Sequence, residues 1–120
     1  MKSKELLKGT LKTIILKLLA ENGRMYGYEI TQKVKELSNE EIQLTFGALY
    51  PILHKLEADG LLVTESEIVD NRARKYYSLT PAGNEIAKEK IEQFFEFMDI
   101  MKQVIGPSPS PKSKLNLWGI

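Results

Sequence analysis

The sequence predicts a mainly α fold of the α+β class, with three helices, a two-stranded hairpin and one long C-terminal helix in that order. Two patterns lead to this prediction. Apolar residues recur every three or four positions in four segments, as on one side of a helix, whereas residues 61–79 alternate as strands do. The chain has 120 residues, of which 42% are hydrophobic and 28% charged, so it is long enough for one globular domain.

The first two helices are predicted over residues 6–19 and 28–37. In the first, apolar side chains lie at helical spacing and Asn22-Gly23 supplies a stop signal. The second is short, and it follows a turn around Gly23 and Gly27.

The third helix is predicted to follow Thr45, a capping residue, and to end at Asp59-Gly60, where glycine can adopt the left-handed conformation. At about 100° per residue, the face expected to point into the core carries Phe46, Leu49, Ile52, Leu53 and Leu56. The opposite face carries Gly47, Tyr50, Pro51 and His54. Pro51 removes one helical hydrogen bond at a cost of roughly 3 kcal/mol or more, which predicts a kink or a loosely formed first turn.

The hairpin is predicted from two short strands, residues 61–69 and 74–79, joined by a polar turn. The predicted turn consists of Asp70, Asn71, Arg72 and Ala73. Alternation along the second strand directs Tyr77 and Leu79 towards the core and Tyr76 to the other face.

The last helix is predicted to begin at Pro81, because a capping threonine precedes it, and to end at about Ile105. Three helices followed by a hairpin form a winged helix-turn-helix, and the long helix is an addition to it. We therefore expect a winged helix-turn-helix DNA-binding domain over residues 1–80 and a C-terminal dimerisation helix over residues 81–106. The Pro- and Ser-rich residues 107–120 are expected to form a flexible tail.

The composition excludes several kinds of site. Cysteine is absent and His54 is the only histidine, which leaves no disulfide, no thiolate zinc site and no histidine pair for a metal. We therefore expect neither enzymatic activity nor a cofactor.

No apolar run reaches the roughly 20 residues that a membrane-spanning helix needs, and no signal-peptide pattern is present, so the sequence predicts a cytoplasmic protein. Because the net charge is only +1, any DNA binding must depend on local basic clusters.

Two local clusters predict contacts with double-stranded DNA. In the third helix, small residues would let the backbone approach a major groove, where polar side chains could read bases. In the hairpin, basic residues gather at the turn and acidic residues precede it, which suits contacts with phosphates or the minor groove. The predicted DNA-binding residues are Thr45, Gly47, Tyr50, His54, Lys55, Arg72, Arg74 and Lys75. Two alternatives stay open: the helix residues are ordinary surface residues, or the basic residues pair with acids across the hairpin.

The last helix carries a heptad pattern, with apolar residues at spacings of four, three, four, three and four, by which two helices pack together. These residues are Ala87, Ile91, Phe94, Met98, Met101 and Ile105. The last five form the predicted interface of a homodimer. A second apolar stripe contains Phe97, Ile100 and Val104, and one short chain could not cover both stripes. Packing against the first helix, the alternative, accounts for only one stripe.

Five short motifs follow one another along the chain. They are Leu-Leu-Lys-Gly-Thr-Leu at residues 6–11, Tyr-Gly-Tyr-Glu-Ile at 26–30, Gly-Ala-Leu-Tyr-Pro-Ile-Leu at 47–53, Leu-Glu-Ala-Asp-Gly-Leu at 56–61 and Arg-Lys-Tyr-Tyr-Ser-Leu-Thr-Pro-Ala-Gly at 74–83. Together they resemble the signature blocks of the PadR family of transcriptional regulators. The resemblance implies a winged helix-turn-helix repressor that is homodimeric through its C-terminal helix and binds a palindromic operator. It also implies that a Leu-Tyr-Pro step is usual within the recognition helix.

The same resemblance implies an aromatic small-molecule effector. In short members of the family this effector binds in a pore at the centre of the dimer, and an aromatic residue, typically tryptophan, lines the pore. Phe94 stands at that position here, and the only tryptophan is Trp118 in the tail. The candidate pore residues are Phe94, Phe97 and Met98, which could equally fill the dimer core. Two other function classes stay open: an aromatic sensor that acts mainly through the pore, and a winged-helix protein-interaction module that binds no DNA.

Overall fold

The computed structural model describes residues 4–107, which form four helices and a three-stranded antiparallel sheet. In chain order the elements are α1 (Lys4–Asn22), β1 (Met25–Tyr26), α2 (Gly27–Leu37), α3 (Phe46–Ala58), β2 (Leu62–Val69), β3 (Arg72–Leu79) and α4 (Pro81–Ile105). The predicted α+β winged helix-turn-helix fold is confirmed. Apart from Pro107, the predicted tail lies outside the described residues. None of the helices in the described range is long and apolar enough to cross a membrane.

The sheet has the strand order β1-β3-β2. β1 is not apparent from the sequence pattern, because it contains only two residues, yet it places Met25 opposite Tyr77 and Tyr26 opposite Tyr76. β2 and β3 pair along their whole length and form the hairpin that we call the wing. The first loop after α1 is therefore attached to the wing through β1.

The turn of the wing contains two residues, so the predicted four-residue turn is wrong. Asp70 and Asn71 have φ angles of 51° and 62°, the left-handed conformation that a two-residue turn of type I′ requires. Arg72 and Ala73 already pair with β2 and belong to β3. Their side chains are exposed, and a polar or small side chain does not prevent the backbone from continuing the strand ladder.

The core lies between the first three helices and the inner face of the sheet. Tyr77 is 1% exposed and Leu79 packs against the core, as predicted from the alternation along β3. Burial raises the pKa of the Tyr77 phenol. The buried residues of α3 are Leu49, Leu53 and Leu56, and those of α1 are Leu11, Ile15, Leu16, Leu18 and Leu19.

α3 differs from the prediction at two positions. Phe46 is 51% exposed, because it lies in the first turn, and its ring contacts the Tyr50 ring at a centroid distance of 5.6 Å. The helix is continuous through Pro51, and its first turn is closed by a Thr45 cap. Pro51 and Gly47 are both exposed, so water can bind the Gly47 carbonyl that loses its helical partner. The prediction of a loosely formed first turn is therefore wrong, whereas the predicted kink at Pro51 stays a prediction.

α4 begins at Pro81 and ends at Ile105, as predicted, and one side of it packs against α1. Only Gly83 and Ala87 are buried along this helix. The half-buried members of the heptad seam are Ile91, Phe94, Met98 and Met101. Five further apolar side chains of α4 are between 45% and 79% exposed: Phe95, Phe97, Ile100, Val104 and Ile105. One chain therefore covers the seam only in part and leaves the second stripe open.

Candidate nucleic-acid interface

The N-terminal end of α3 is exposed and carries little side-chain bulk. The Thr45 hydroxyl accepts a hydrogen bond from the Ala48 amide at 3.2 Å and so caps the helix. Thr45, Gly47 and Ala48 are all exposed, and a Cβ added to Gly47 would meet only the Thr45 hydroxyl, at 3.9 Å. This end of the helix can therefore approach another surface closely.

Three aromatic side chains form a row along α3, one turn apart. The ring centroids of Phe46 and Tyr50 lie 5.6 Å apart, and those of Tyr50 and His54 lie 5.9 Å apart. Phe46 is not among the predicted DNA-binding residues, although its spacing of four from Tyr50 was a signal that could have identified it. Beside this row, the exposed Lys55 ammonium lies 3.0 Å from the Asp59 carboxylate.

The helical phase predicted that Tyr50 projects from the face of α3 opposite the core. The structure shows instead that Tyr50 packs against the core. Its side chain is half-buried and packs against the core cluster. Its ring also covers Gly27 at the start of α2: a Cβ at Gly27 would overlap the Tyr50 hydroxyl and lie 2.8 Å from its Cζ atom. Tyr50 therefore joins α3 to α2, and a side chain at position 27 would displace the Tyr50 ring from its place.

The acidic residues of β2 are paired with Arg24, a residue that the sequence pattern had not singled out. Arg24 donates one hydrogen bond to Glu65 at 2.7 Å and another to Glu67 at 2.6 Å. The hydrogen bond to Glu67 is the main cause, with that to Glu65, of a raised pKa of the Arg24 guanidinium. These carboxylates therefore pair with the α1–β1 loop, and not with the arginines of β3 as the alternative prediction proposed.

The three predicted basic residues of the wing have different surroundings. The Arg74 guanidinium lies 4.2 Å from the centre of the Tyr26 ring, and its contact with the Tyr76 hydroxyl, at 3.5 Å, raises the pKa of Arg74. Arg72 is exposed, and within residues 4–107 it forms no ion pair. The Lys75 ammonium lies 3.7 Å from a carboxylate oxygen of Glu57 on α3.

A cleft of about 590 Å³ lies between the wing, β1 and α3, and we call it the wing cleft. Its lining consists of Tyr26, Tyr50, Val69, Asp70, Arg72, Ala73, Arg74 and Lys75. Because β1 pairs only with Tyr76 and Tyr77, residues 72–75 of β3 have a neighbouring strand on one side only. The wing cleft therefore combines the cationic side chains of Arg72, Arg74 and Lys75 with an open strand edge, and cations and backbone amides are groups that bind phosphate oxygens.

The structure thus brings together four of the predicted DNA-binding residues and leaves the others nearby on α3. Tyr50, Arg72, Arg74 and Lys75 line the wing cleft. The remaining four are exposed at the surface of α3: Thr45, Gly47, His54 and Lys55. No single residue pattern shows this grouping, because it depends on how the wing folds back beside α3.

The residues predicted for the dimer and the pore lie elsewhere, on α4. Ile91 and Phe94 line an apolar cavity of about 180 Å³ between α4 and α1. The rest of its lining is Thr10, Thr13, Ile14, Lys17 and Phe95. Phe97 is 55% exposed and lines a second, more open groove with Phe94. Packing against α1 therefore accounts for Ile91 and Phe94, whereas the second stripe is left exposed.

Known proteins are similar to this chain in both sequence and fold. Residues 15–89 match the family described as the transcriptional regulator PadR-like family. A transcriptional regulator of Mycobacterium tuberculosis is 45% identical over 80 residues, which cover 67% of this chain and 71% of that protein. The structure of a transcriptional regulator from Clostridium thermocellum matches with a TM-score of 0.72 at 31% identity, and the match covers 85% of this chain and 95% of that one.

A third relative, a PadR family transcriptional regulator from Eggerthella lenta, is 32% identical with a TM-score of 0.67, and the match covers 84% of this chain and 82% of that structure. All three relatives are regulators of transcription, which confirms the prediction of a protein that is not an enzyme. The family match covers more than half of the chain, and two relatives with known structures exceed 30% identity. The chain therefore belongs to the PadR-like family of transcriptional regulators.

Proposed function

We propose that this regulator is a homodimeric repressor that acts in the cytoplasm and binds a palindromic operator in double-stranded DNA. The observation that carries the proposal is the wing cleft, which places two arginines and a lysine beside Tyr50 of α3. A helix with a lean, exposed N-terminal end fits the major groove, and cations beside it fit the flanking phosphates. Bound over a promoter, such a dimer would block transcription.

In this proposal the two parts of the interface have separate tasks. Thr45, Gly47, His54 and Lys55 would meet the DNA from α3, and Tyr50 would contribute its hydroxyl at the border with the wing cleft. Arg72, Arg74 and Lys75 would bind the backbone next to the groove that α3 enters. A homodimer presents two such units, so the half-sites of the operator should be related by two-fold symmetry and lie about one helical turn apart.

Removing the two wing arginines tests this assignment. We expect Arg72→Ala/Arg74→Ala to weaken binding to operator and unrelated duplex DNA alike, because phosphates carry no sequence information. The slope of log affinity against log salt should become shallower by about 0.9 for each phosphate that an arginine no longer neutralises. Fluorescence anisotropy with labelled duplexes at several salt concentrations measures both quantities.

The matched control for the wing variant is Lys88→Ala/Lys102→Ala, which removes the same charge from exposed positions on α4. It should leave the salt slope unchanged. A wing variant with wild-type affinity and slope would contradict the wing assignment. If the wild type bound no duplex in a salt-sensitive way, the protein-interaction module would become the better proposal.

Two substitutions at Tyr50 separate its packing from its hydroxyl. Tyr50→Ala should lower the free energy of unfolding by about 2 kcal/mol, less than the roughly 3–5 kcal/mol of a fully buried aromatic, because the side chain is half-buried. Tyr50→Phe should keep the wild-type melting temperature and weaken operator binding by about three- to tenfold, the usual contribution of one hydrogen bond. Thermal melts and anisotropy titrations distinguish the two effects. Unchanged operator binding by Tyr50→Phe would exclude a hydroxyl contact with DNA.

We also propose that an aromatic effector binds at the dimer centre, beside Phe94, Phe97 and Met98. The apolar cavity between α1 and α4 supports this proposal, because Phe94 and Phe95 both line it. Its volume of about 180 Å³ is below the roughly 300–1,000 Å³ of most ligand sites. A ligand would therefore need surface from the second protomer, and ligand response should be lost together with the dimer.

A further inference from the structure

We infer that Arg24 is a positioning residue of the wing: it occupies Glu65 and Glu67 so that Arg74 stays in the wing cleft. The inference rests on the proposed function, because the wing cleft is the surface that would meet DNA phosphates. Arg24 itself lies outside the wing, in the short loop between α1 and β1. It is also absent from the lining of the wing cleft.

The strand register makes Glu67 the natural partner of Arg74. Glu67 and Arg74 lie directly opposite each other in the ladder between β2 and β3, so their side chains are on the same face of the wing. Opposite charges at such positions normally attract each other. Yet Glu67 accepts its hydrogen bond from Arg24, at 2.6 Å, and Glu65 accepts a second one from the same guanidinium. Arg24 therefore competes with Arg74 for the acids of β2.

Two tyrosine rings hold the arginines apart. The Arg24 guanidinium lies 4.1 Å from the centre of the Tyr76 ring, and the Arg74 guanidinium lies 4.2 Å from the centre of the Tyr26 ring. The two rings meet edge to face, with centroids 5.4 Å apart and an angle of 74° between their planes. The row runs from Arg24 through both rings to Arg74. Each guanidinium lies over a different ring, although Arg74 also contacts the Tyr76 hydroxyl at 3.5 Å, and only Arg24 hydrogen-bonds Glu65 and Glu67.

The charges explain why this arrangement affects binding more than folding. The side chains of Arg24, Glu65 and Glu67 are 39%, 66% and 44% exposed, and exposed ion pairs contribute little to stability. Without Arg24, two uncompensated carboxylates would remain on the wing, one of them opposite Arg74 of the wing cleft, and would repel the phosphates proposed to bind there. Glu67 would also be free to attract Arg74 away from the wing cleft. Both changes oppose the binding of a polyanion.

A double-mutant cycle tests the inference with Arg24→Gln, Glu65→Gln/Glu67→Gln and the triple variant. The probe is a fluorescent duplex of about 30 base pairs at about 50 mM salt, where phosphate contacts dominate. We expect Arg24→Gln to weaken binding about tenfold when both acids are present and less than about twofold when both are glutamine. The matched control is Lys17→Gln, which removes one cation of the Lys17–Glu21 ion pair on α1 and should leave binding unchanged.

The cycle distinguishes positioning from direct contact. If Arg24 bound a phosphate itself, its loss would cost about the same affinity in both backgrounds, and that equality would overturn the inference. A tenfold loss in the Lys17→Gln control would overturn it as well, because the effect would then follow net charge alone. Restoration of binding by the two glutamines is the supporting result.

A second measurement needs no DNA. In the wild type, nuclear Overhauser effects should connect the Arg74 side chain with the Tyr26 ring, given their separation of 4.2 Å. In Arg24→Gln these signals should weaken and those between the Arg74 and Glu67 side chains, which are register partners, should strengthen, while the triple variant should regain the Tyr26 contact. Persistence of the wild-type pattern in Arg24→Gln would overturn the inference. Loss of the pattern would support it even if the wild type bound no DNA, which would count against the proposed function alone.

Discussion

Met98→Glu is expected to convert the proposed dimer into monomers or aggregates and to abolish tight operator binding. Met98 lies in the middle of the heptad seam of α4 and is half-buried in a single chain. In a symmetric dimer the two new carboxylates would face each other close to the two-fold axis. Burying such charges without partners is costly, so they must be neutralised or the interface must open.

The exposed surface of α4 supports this expectation. Val104 is 72% exposed and Ile105 is 79% exposed, although both are apolar and lie in the last turns of the helix. Phe97 and Ile100, at 55% and 45%, continue the stripe towards the middle. Apolar side chains concentrated on one helix favour association, and each chain offers the same surface to its partner.

The effect on DNA binding should be large, because a monomer presents only one recognition helix. Losing the second half-site should weaken operator binding by roughly 100-fold or more, as when a bivalent ligand becomes monovalent. Sedimentation equilibrium and anisotropy titrations measure the two consequences. The matched control is Gln103→Glu, which places the same carboxylate at an exposed polar position of α4. Should Met98→Glu remain a dimer with normal affinity, the seam would lie elsewhere, and α1 would be the next candidate.

Gly83→Ala is expected to destabilise the fold by about 3 kcal/mol or more, although alanine is the better helix former. Gly83 lies in the first turn of α4 and is buried. A Cβ there would overlap the carbonyl oxygen of Leu61 and lie 3.0 Å from its carbonyl carbon. That carbonyl oxygen also accepts the amide hydrogen of Thr80 at 3.0 Å, so Leu61 cannot move without loss of this bond.

The competing effects differ clearly in size. Replacing glycine by alanine within a helix usually gains about 1 kcal/mol, whereas the clash with backbone atoms costs several times more. The control is Gly9→Ala in α1, where nothing lies within 4 Å of the added Cβ, and it should stabilise the protein by roughly 0.5–1 kcal/mol. Chemical denaturation of both variants measures the difference. Equal effects of the two substitutions would falsify the close-approach explanation.

Local signals along the chain were enough to predict the order of the four helices and the hairpin, most helix boundaries and the family, but not the two-residue strand β1. Thr80-Pro81 and Gly106 mark the two ends of α4, and the cap at Thr45 marks the start of α3. These signals are local because a hydroxyl caps the amides two or three residues later and proline suits only the first turn. Apolar spacing likewise identified the core leucines of α3, because it depends only on the helical repeat.

Which side chains share a surface depends on tertiary packing. Phe46 has the helical phase of a core residue and is exposed, while Tyr50 has the opposite phase and packs over Gly27. Periodicity gives the direction of a side chain, but a neighbour 20 or more residues away in the chain decides whether that direction is covered. Arg24 is the clearest case: its partners Glu65 and Glu67 lie 41 and 43 residues further along the chain. No local pattern encodes that pairing, because it exists only after β1 has joined the wing.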